Sequence, residues 1–441
     1  MQQLLSRLPT KLWESFWFVP ILLTLVGGIG GMASISFDET EYARQLAGAA
    51  FILKITDEGG RSLVSTVAAG IVTMASLVFS LTFVALTLMS QQLGPRLIQI
   101  FLRDRFAKIT FGSFTGAFLF CLVVLAVTGT GAKGQFVPIF SLLLVIGLAV
   151  FSFCLMIVYI NHIAFSIQAD TLIARLGNNL STALAQFIQH EGRGTGSADR
   201  EHEANQAAAV CERLDADSIK IRSDKTGYIA EIESQKLVHL LQQDDRYGKL
   251  LCRPGHFVTD EMPVLQASGL SGDSEKAVLD CFVLEPTRTF SETGEFEMNA
   301  LVEVALRALS PGMNDSYTAL ACIDQLSSAV ADLCKAPLKP RVMADDQGVA
   351  RLLAYRQGLS HFLDTAFHSI RHAARDNPLV LARLVNAYRM LADLARDNES
   401  ARRAVSKHLA VLNETIKDCV STKDDRDHLV ELIDRVKFAQ E

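Results

Sequence analysis

The chain has 441 residues, 49% of them hydrophobic and 20% charged, with a formal net charge of −6. That composition leaves an apolar soluble protein or a membrane protein with a soluble part. The acidic balance excludes the basic footprint of a nucleic-acid-binding protein.

The apolar residues concentrate before residue 165 in four runs, Trp13–Ile35, Leu63–Met89, Ile109–Thr128 and Phe136–Ile160. Each reaches the roughly 20 residues that cross a hydrocarbon core of about 30 Å, so four transmembrane helices are predicted. Arg7 and Lys11 ahead of the first run resemble a secretory n-region, but the run is too long for a cleaved segment, and a signal-anchor is expected. Lys and Arg set the orientation. Arg7 and Lys11 precede span one, and Arg96, Arg103, Arg105 and Lys108 fill the connection from span two to span three. Only Lys133 sits in the turn from span three to span four, whereas Arg44, Lys54 and Arg61 dissent mildly in the first loop. Both termini are therefore expected in the cytoplasm, with the bilayer as the first partner.

Glycines 27, 28, 30 and 31 in span one fall outside any strand–helix context for a dinucleotide loop, and predict close helix packing instead. Span two carries a stripe of hydroxyls. Thr66, Thr73, Ser76, Ser80, Thr87 and Ser90 recur at three, four or seven residues and share one helical face. Two readings stand for it: tight packing between helices, or a pore lining presented by identical subunits to water or a small ion. Gly94-Pro95 ends the helix. Arg96 and the cations after it then face anionic head groups, or Arg96 forms a ring at a pore mouth.

Beyond span four the helical period continues through Leu172, Leu176, Leu180 and Leu184, and residues 191–206 read as a linker. Residues 217–223 and 227–234 alternate apolar and polar about a turn at 224–227, a short helix follows, and 250–266 supplies further strands. The pattern predicts a small β-barrel-like segment. It is similar to lipoyl- or biotinyl-type barrels, but the lysine hairpin is missing, so no cofactor is expected. From Glu295 onward the apolar spacing is helical, including one continuous helix over 348–375 and another beginning at Pro378. The expected fold is thus a mainly α membrane protein with four transmembrane helices, followed by a cytosolic α+β part consisting of the β-barrel-like segment and a helical bundle. The expected domains are 1–165 for the membrane, 166–206 for an amphipathic helix and linker, 207–290 for the β-rich part and 291–441 for the helical part. Of the eight cysteines, Cys121 and Cys154 lie in spans, and the other six form no C-x-x-C pair, which opposes a disulfide framework or a zinc knuckle.

The stretches SQQLGPRL (90–97) with FLRD (101–104), and LVEVALRALSPGMNDSYTA (301–319), resemble the two signatures of the DUF2254 family of predicted bacterial membrane proteins. The resemblance covers nearly the whole chain and implies a bacterial membrane protein without naming a substrate or a catalytic residue. Ser316 stands where the family favours proline, and Gln92 varies the first motif.

Two further groups are candidate sites. Arg307, Asn314 and Asp315 bracket a Ser-Pro-Gly turn, as helix caps or as a ligand or interdomain site. His361, Asp364, His368 and His372 fall on one face of a regular helix, a spacing that suits metal ligands, but Arg371 and Arg375 beside them point to an anion or an ion-pair network. No nucleophile–base pair, phosphate loop or zinc-protease motif is present. A homo-oligomeric channel-like protein is therefore the first expectation, and a non-conducting sensor or scaffold the second. A metal-dependent membrane enzyme, which would need His361, His368 and His372 as ligands, is the third.

Overall fold

The computed structural model describes residues 17–40, 57–92, 94, 104–128, 138–166, 168–191, 197–216, 218–269, 272–286, 294–336, 342–354 and 357–438. The chain forms two compact units, Met1–Thr171 and Leu172–Glu441.

The first unit holds four helices long and apolar enough to cross a membrane: α1 (Phe18–Asp38), α2 (Asp57–Gln92), α3 (Arg105–Val127) and α4 (Ile139–Ser166). Pro20 in α1 lies in the first turn, where no intrahelical N–H is lost. α2 stops at Gln92, and Gly94 adopts a φ of +118°, a backbone only glycine reaches freely. The common core gathers Val64, Ile71 and Val78 of α2, Phe114 and Val124 of α3, and Val145 and Tyr159 of α4. Apolar side chains such as Phe79, Phe83, Phe151 and Phe153 remain exposed around it, as a lipid-facing surface requires.

α1 and α3 meet backbone to backbone. A Cβ on Gly27 would lie 2.1 Å from the Gly116 carbonyl oxygen, and one on Gly116 would lie 2.6 Å from that of Leu23. The glycines of span one thus pack as their spacing predicts. At one end of the bundle Asp38 receives the first turn of α4, accepting from the Phe140 and Ser141 N–H groups, each at 2.9 Å, and from the Ser141 hydroxyl at 2.6 Å. A carboxylate at a helix N-terminus satisfies donors that lack an intrahelical partner.

The second unit opens with α5 (Ala169–Glu191), which buries Leu172, Leu176, Leu180 and Leu184 on one face. α6 (Ser197–Ala216) follows where a linker over 191–206 was expected. Ala207, Val210 and Leu214 pack there on Ala350 and Leu353, contacts that the local charge-rich sequence conceals.

The chain then runs β1 (Ser218–Arg222), β2 (Gly227–Ile232), α7 (Ser234–Gln243), β3 (Gly248–Leu250), β4 (Phe257–Val258), β5 (Pro263–Ser268), α8 (Gly272–Leu279) and β6 (Phe282–Glu285). β1 and β2 do not pair with one another. β1 joins the five-stranded sheet β1-β5-β3-β8-β7, and β2 is the centre of the three-stranded sheet β4-β2-β6. Two open sheets therefore replace the expected barrel among the described residues. They share a core of Ile221, Leu241, Leu250, Leu265 and Leu352.

After α9 (Glu295–Ala308) and α10 (Ser316–Lys335) come β7 (Val342–Ala344) and β8 (Ala350–Leu353), which complete the larger sheet from within the segment expected to be wholly helical. The helix predicted over 348–375 is accordingly split. All four residues of β8 are buried, and Gly348 (φ +81°) turns the chain into the strand. Helix resumes only at α11 (Leu359–Leu363), passes through a π turn (Asp364–His368) and ends in α12 (Ser369–Ala373). α13 (Pro378–Leu394), α14 (Glu399–Cys419) and α15 (Lys423–Phe438) finish the chain. Asn377 and Asn398 cap α13 and α14 through their side-chain oxygens, and Pro378 sits at the first helical position as its sequence predicts.

Candidate functional site

The hydroxyl stripe of α2 faces away from its own bundle. Val64, Ala68, Ile71, Val78, Thr82 and Ala85 form the buried side of the helix, while Thr66, Thr73, Ser76, Ser80 and Thr87 are exposed and Ser90 is half-buried. The separation follows from the 3.6-residue period, which sets the two groups on opposite faces. The threonine hydroxyls donate back to their own helix, Thr66 to Ser62, Thr73 to Ala69 and Thr87 to Phe83, at 2.8 to 2.9 Å. Among the described residues these five exposed positions therefore take no part in packing within their unit. Arg96 lies outside the described residues.

Sequence reasoning missed a second polar group in the same unit. Asp104 of the FLRD stretch caps α3 by accepting from the Phe106 N–H at 2.8 Å, and its other oxygen lies 2.7 Å from His162 Nε2 on α4. Asp104 is 8% exposed. Beside it, Tyr159 is fully buried, with its hydroxyl 2.8 Å from Thr82 Oγ1. Thr82 has one proton and sits 2.6 Å from the Val78 carbonyl, so Tyr159 is the donor when Thr82 bonds to that carbonyl. Phe106 packs beside both pairs, stacked on the Tyr159 ring at 6.1 Å and tilted against the His162 ring at 4.8 Å. Lys108, expected at the head groups, is instead buried at 3% exposure, because it follows Asp104 by one turn on the inward face of α3. The signal available in the sequence was an acid and a histidine at the margins of apolar runs, where ionisable side chains are costly and retained for use.

Arg307, Asn314 and Asp315 do not converge. Arg307 reaches back to Glu303 at 3.6 Å on its own helix. Asn314 takes the left-handed conformation (φ +46°) that asparagine tolerates. Asp315 caps α10, accepting from the Thr318 hydroxyl at 2.6 Å and the Thr318 N–H at 3.1 Å, and those bonds hold its carboxyl below the usual range. Around this turn Pro311, Gly312, Met313 and Tyr317 are exposed.

The histidine face is taken apart by the π turn. One extra residue rotates everything downstream by roughly 100° relative to a regular helix. His361 stays half-exposed, with Nε2 3.2 Å from the buried Glu295 Oε1, while Asp364 faces His408 at 3.6 Å. His368 and His372 turn to the outside, their rings 4.7 Å apart. Among the described residues no group of three or more His, Cys, Asp or Glu side chains is placed to hold a metal ion.

Glu295, at the start of α9, is a buried carboxylate with three side-chain partners among the described residues. Its Oε1 lies 2.6 Å from Arg253 Nη2 and accepts from Gln357 Nε2 at 2.6 Å. Burial alone would raise this carboxyl, but hydrogen bonds from His361 and Arg253, the Arg253 charge and Gln357 outweigh it and hold the pKa at about 2. The node ties the loop after β3 to the helices that follow.

Comparison with known proteins agrees with the membrane-length helices. The model of the DUF2254 family, described as predicted membrane proteins, matches residues 13–390. Uncharacterized proteins of Mycobacterium bovis and Mycobacterium tuberculosis are each 25% identical over 386 residues, covering 84% of this chain and 71% of theirs. No solved structure matches the chain.

Proposed function

Because the chain belongs to the DUF2254 family of predicted membrane proteins, we propose that it works as a homo-oligomeric, channel-like protein of the bacterial inner membrane. Its α2 helices line a common axis for a small ion, and the second unit regulates them. The observation that supports this reading is the outward hydroxyl stripe. Five hydroxyl-bearing positions, from Thr66 to Thr87, lie on a face that none of the described residues of their unit covers, on a helix whose opposite face is mostly apolar and buried. Symmetric assembly about that face would turn the stripe into a polar lining. The balance of Lys and Arg supports a cytoplasmic side for both termini and the second unit.

A second reading, a non-conducting sensor or scaffold, draws on the same stripe. Hydroxyls already bonded to their own carbonyls are satisfied without water, so the face also suits a dry contact between copies. The intact particle in neutral detergent is expected to have a mass that is a multiple of the single chain, with a reporter fused after Glu441 reading cytoplasmic. A monomeric particle removes the shared axis, and a periplasmic reporter reverses the orientation.

A further inference from the structure

His368, Arg371, His372 and Arg375 gather on the outside of the chain just beyond the π turn. Arg375 Nη2 lies 2.8 Å from His372 Nδ1, and Arg371 Nη2 lies 3.5 Å from both His368 Nδ1 and His372 Nε2. Arg371 is fixed from behind, because its Nη1 donates to Thr415 Oγ1 of α14 at 2.5 Å. Among the described residues no carboxylate pairs with either arginine, and the acid of the same segment, Asp364, faces His408 instead. His408 on α14 feels the Asp364 carboxylate together with the Lys407 and Arg371 charges, so one acid stands near this group. Burial, and then the charges of Arg371, Arg375 and His368, hold the His372 imidazole below its ordinary pKa.

Cations at this spacing repel one another, and a multiply charged oxyanion turns that repulsion into attraction. Two guanidinium groups offer planar, paired donors that match phosphate oxygens, and imidazole N–H groups add single donors beside them.

We infer that His368, Arg371, His372 and Arg375 form a binding site for a phosphate group, carried either by a free phosphate compound or by a lipid head group. The site binds through its charge and its donors, without a metal.

The test uses full-length protein in neutral detergent, titrated calorimetrically with inorganic phosphate and with dihexanoyl phosphatidic acid, with dihexanoyl phosphatidylcholine as the control lipid. Saturable binding of one phosphate group per chain is expected. Its affinity should fall roughly tenfold or more in Arg375→Gln/His372→Gln, as loss of charge-assisted bonds implies. The described side-chain contacts of Arg375 and His372 lie within the cluster, so this variant keeps its fold. Arg403→Gln, which removes an exposed pair with Glu399, should leave binding unchanged. Binding of phosphate but not of the phosphatidic acid assigns the site to free compounds, and the reverse assigns it to lipid. Absence of saturable binding by both probes, or equal binding by the double variant, overturns the inference.

Discussion

Gly116→Leu is expected to prevent the membrane unit from assembling, and Gly116→Ala to weaken it measurably. The atom that a Cβ would meet is a backbone oxygen of Leu23 at 2.6 Å, which no rotamer change can move away. Relief requires α1 and α3 to separate along their shared seam, and overpacking of this kind costs about 1–3 kcal/mol for small additions and more for large ones. Gly27→Ala should behave alike, since its Cβ would meet the Gly116 carbonyl. Gly147→Ala is the control. Nothing lies within 4 Å of its Cβ, and replacing a helical glycine by alanine should be neutral or favourable by about 0.5–1 kcal/mol. Thermal aggregation of the detergent-solubilised chain checks the order: Gly147→Ala at least as stable as the parent, Gly116→Ala below it, and Gly116→Leu absent from the monodisperse fraction. Equal stability of Gly116→Leu and the parent would contradict the packing described.

Glu295→Ala carries the largest effect expected in the second unit. It leaves the Arg253 guanidinium, 11% exposed, without its carboxylate, and breaking a buried pair from one side costs about 3–5 kcal/mol. The pH dependence follows from the lowered pKa. The carboxyl titrates near 4.5 when unfolded and at about 2 when folded, so its stabilisation is complete above pH 4.5 and is lost as pH falls toward 2. That shift corresponds to about 3 kcal/mol. Hydrogen exchange of the peptide amides in α9 is the suitable readout, because a chain of two units does not unfold in one step. Glu295→Ala should raise exchange at pH 7, and the acid-induced rise of the parent should be missing in Glu295→Gln. Unchanged α9 exchange in both variants would show that the node does not hold the helix.

What the sequence disclosed and what it concealed divide along physical lines. Run length alone located the four membrane helices, because a bilayer demands uninterrupted apolar residues and satisfied backbones. The glycines of span one announced close packing, although their partner Gly116 could not be named from one helix. The cap Asp315 was readable because it acts within three residues of itself. The sheets were not. Alternation marked β1 and β2 as strands, but their partners β5, β4 and β6 are set by tertiary contacts 30 to 60 residues away. β8 was hidden because all four of its residues are buried, so it shows no period and merges with the helix that follows. The π turn concealed the fate of the histidines, since regular spacing predicts one face and a single extra residue makes two. The Asp104–His162 contact joins residues 58 apart, and neither residue has a local partner that would have revealed the other.

The account rests most heavily on the stripe of α2 turning toward a shared, hydrated axis, and chemical access to Ser80 tests that most directly. Ser80→Cys, in a background lacking Cys121 and Cys154, is treated in intact membranes with a small water-soluble thiol reagent, and modification at position 80 is read by peptide mass. Phe79→Cys and Leu81→Cys serve as neighbours on other faces. A channel-like axis predicts modification at position 80, little at 79 and 81, and a change in ion flux through liposomes when position 80 reacts. An unreactive Ser80→Cys, with Ser80→Leu loosening the oligomer, would contradict conduction and leave the stripe as a dry contact between copies.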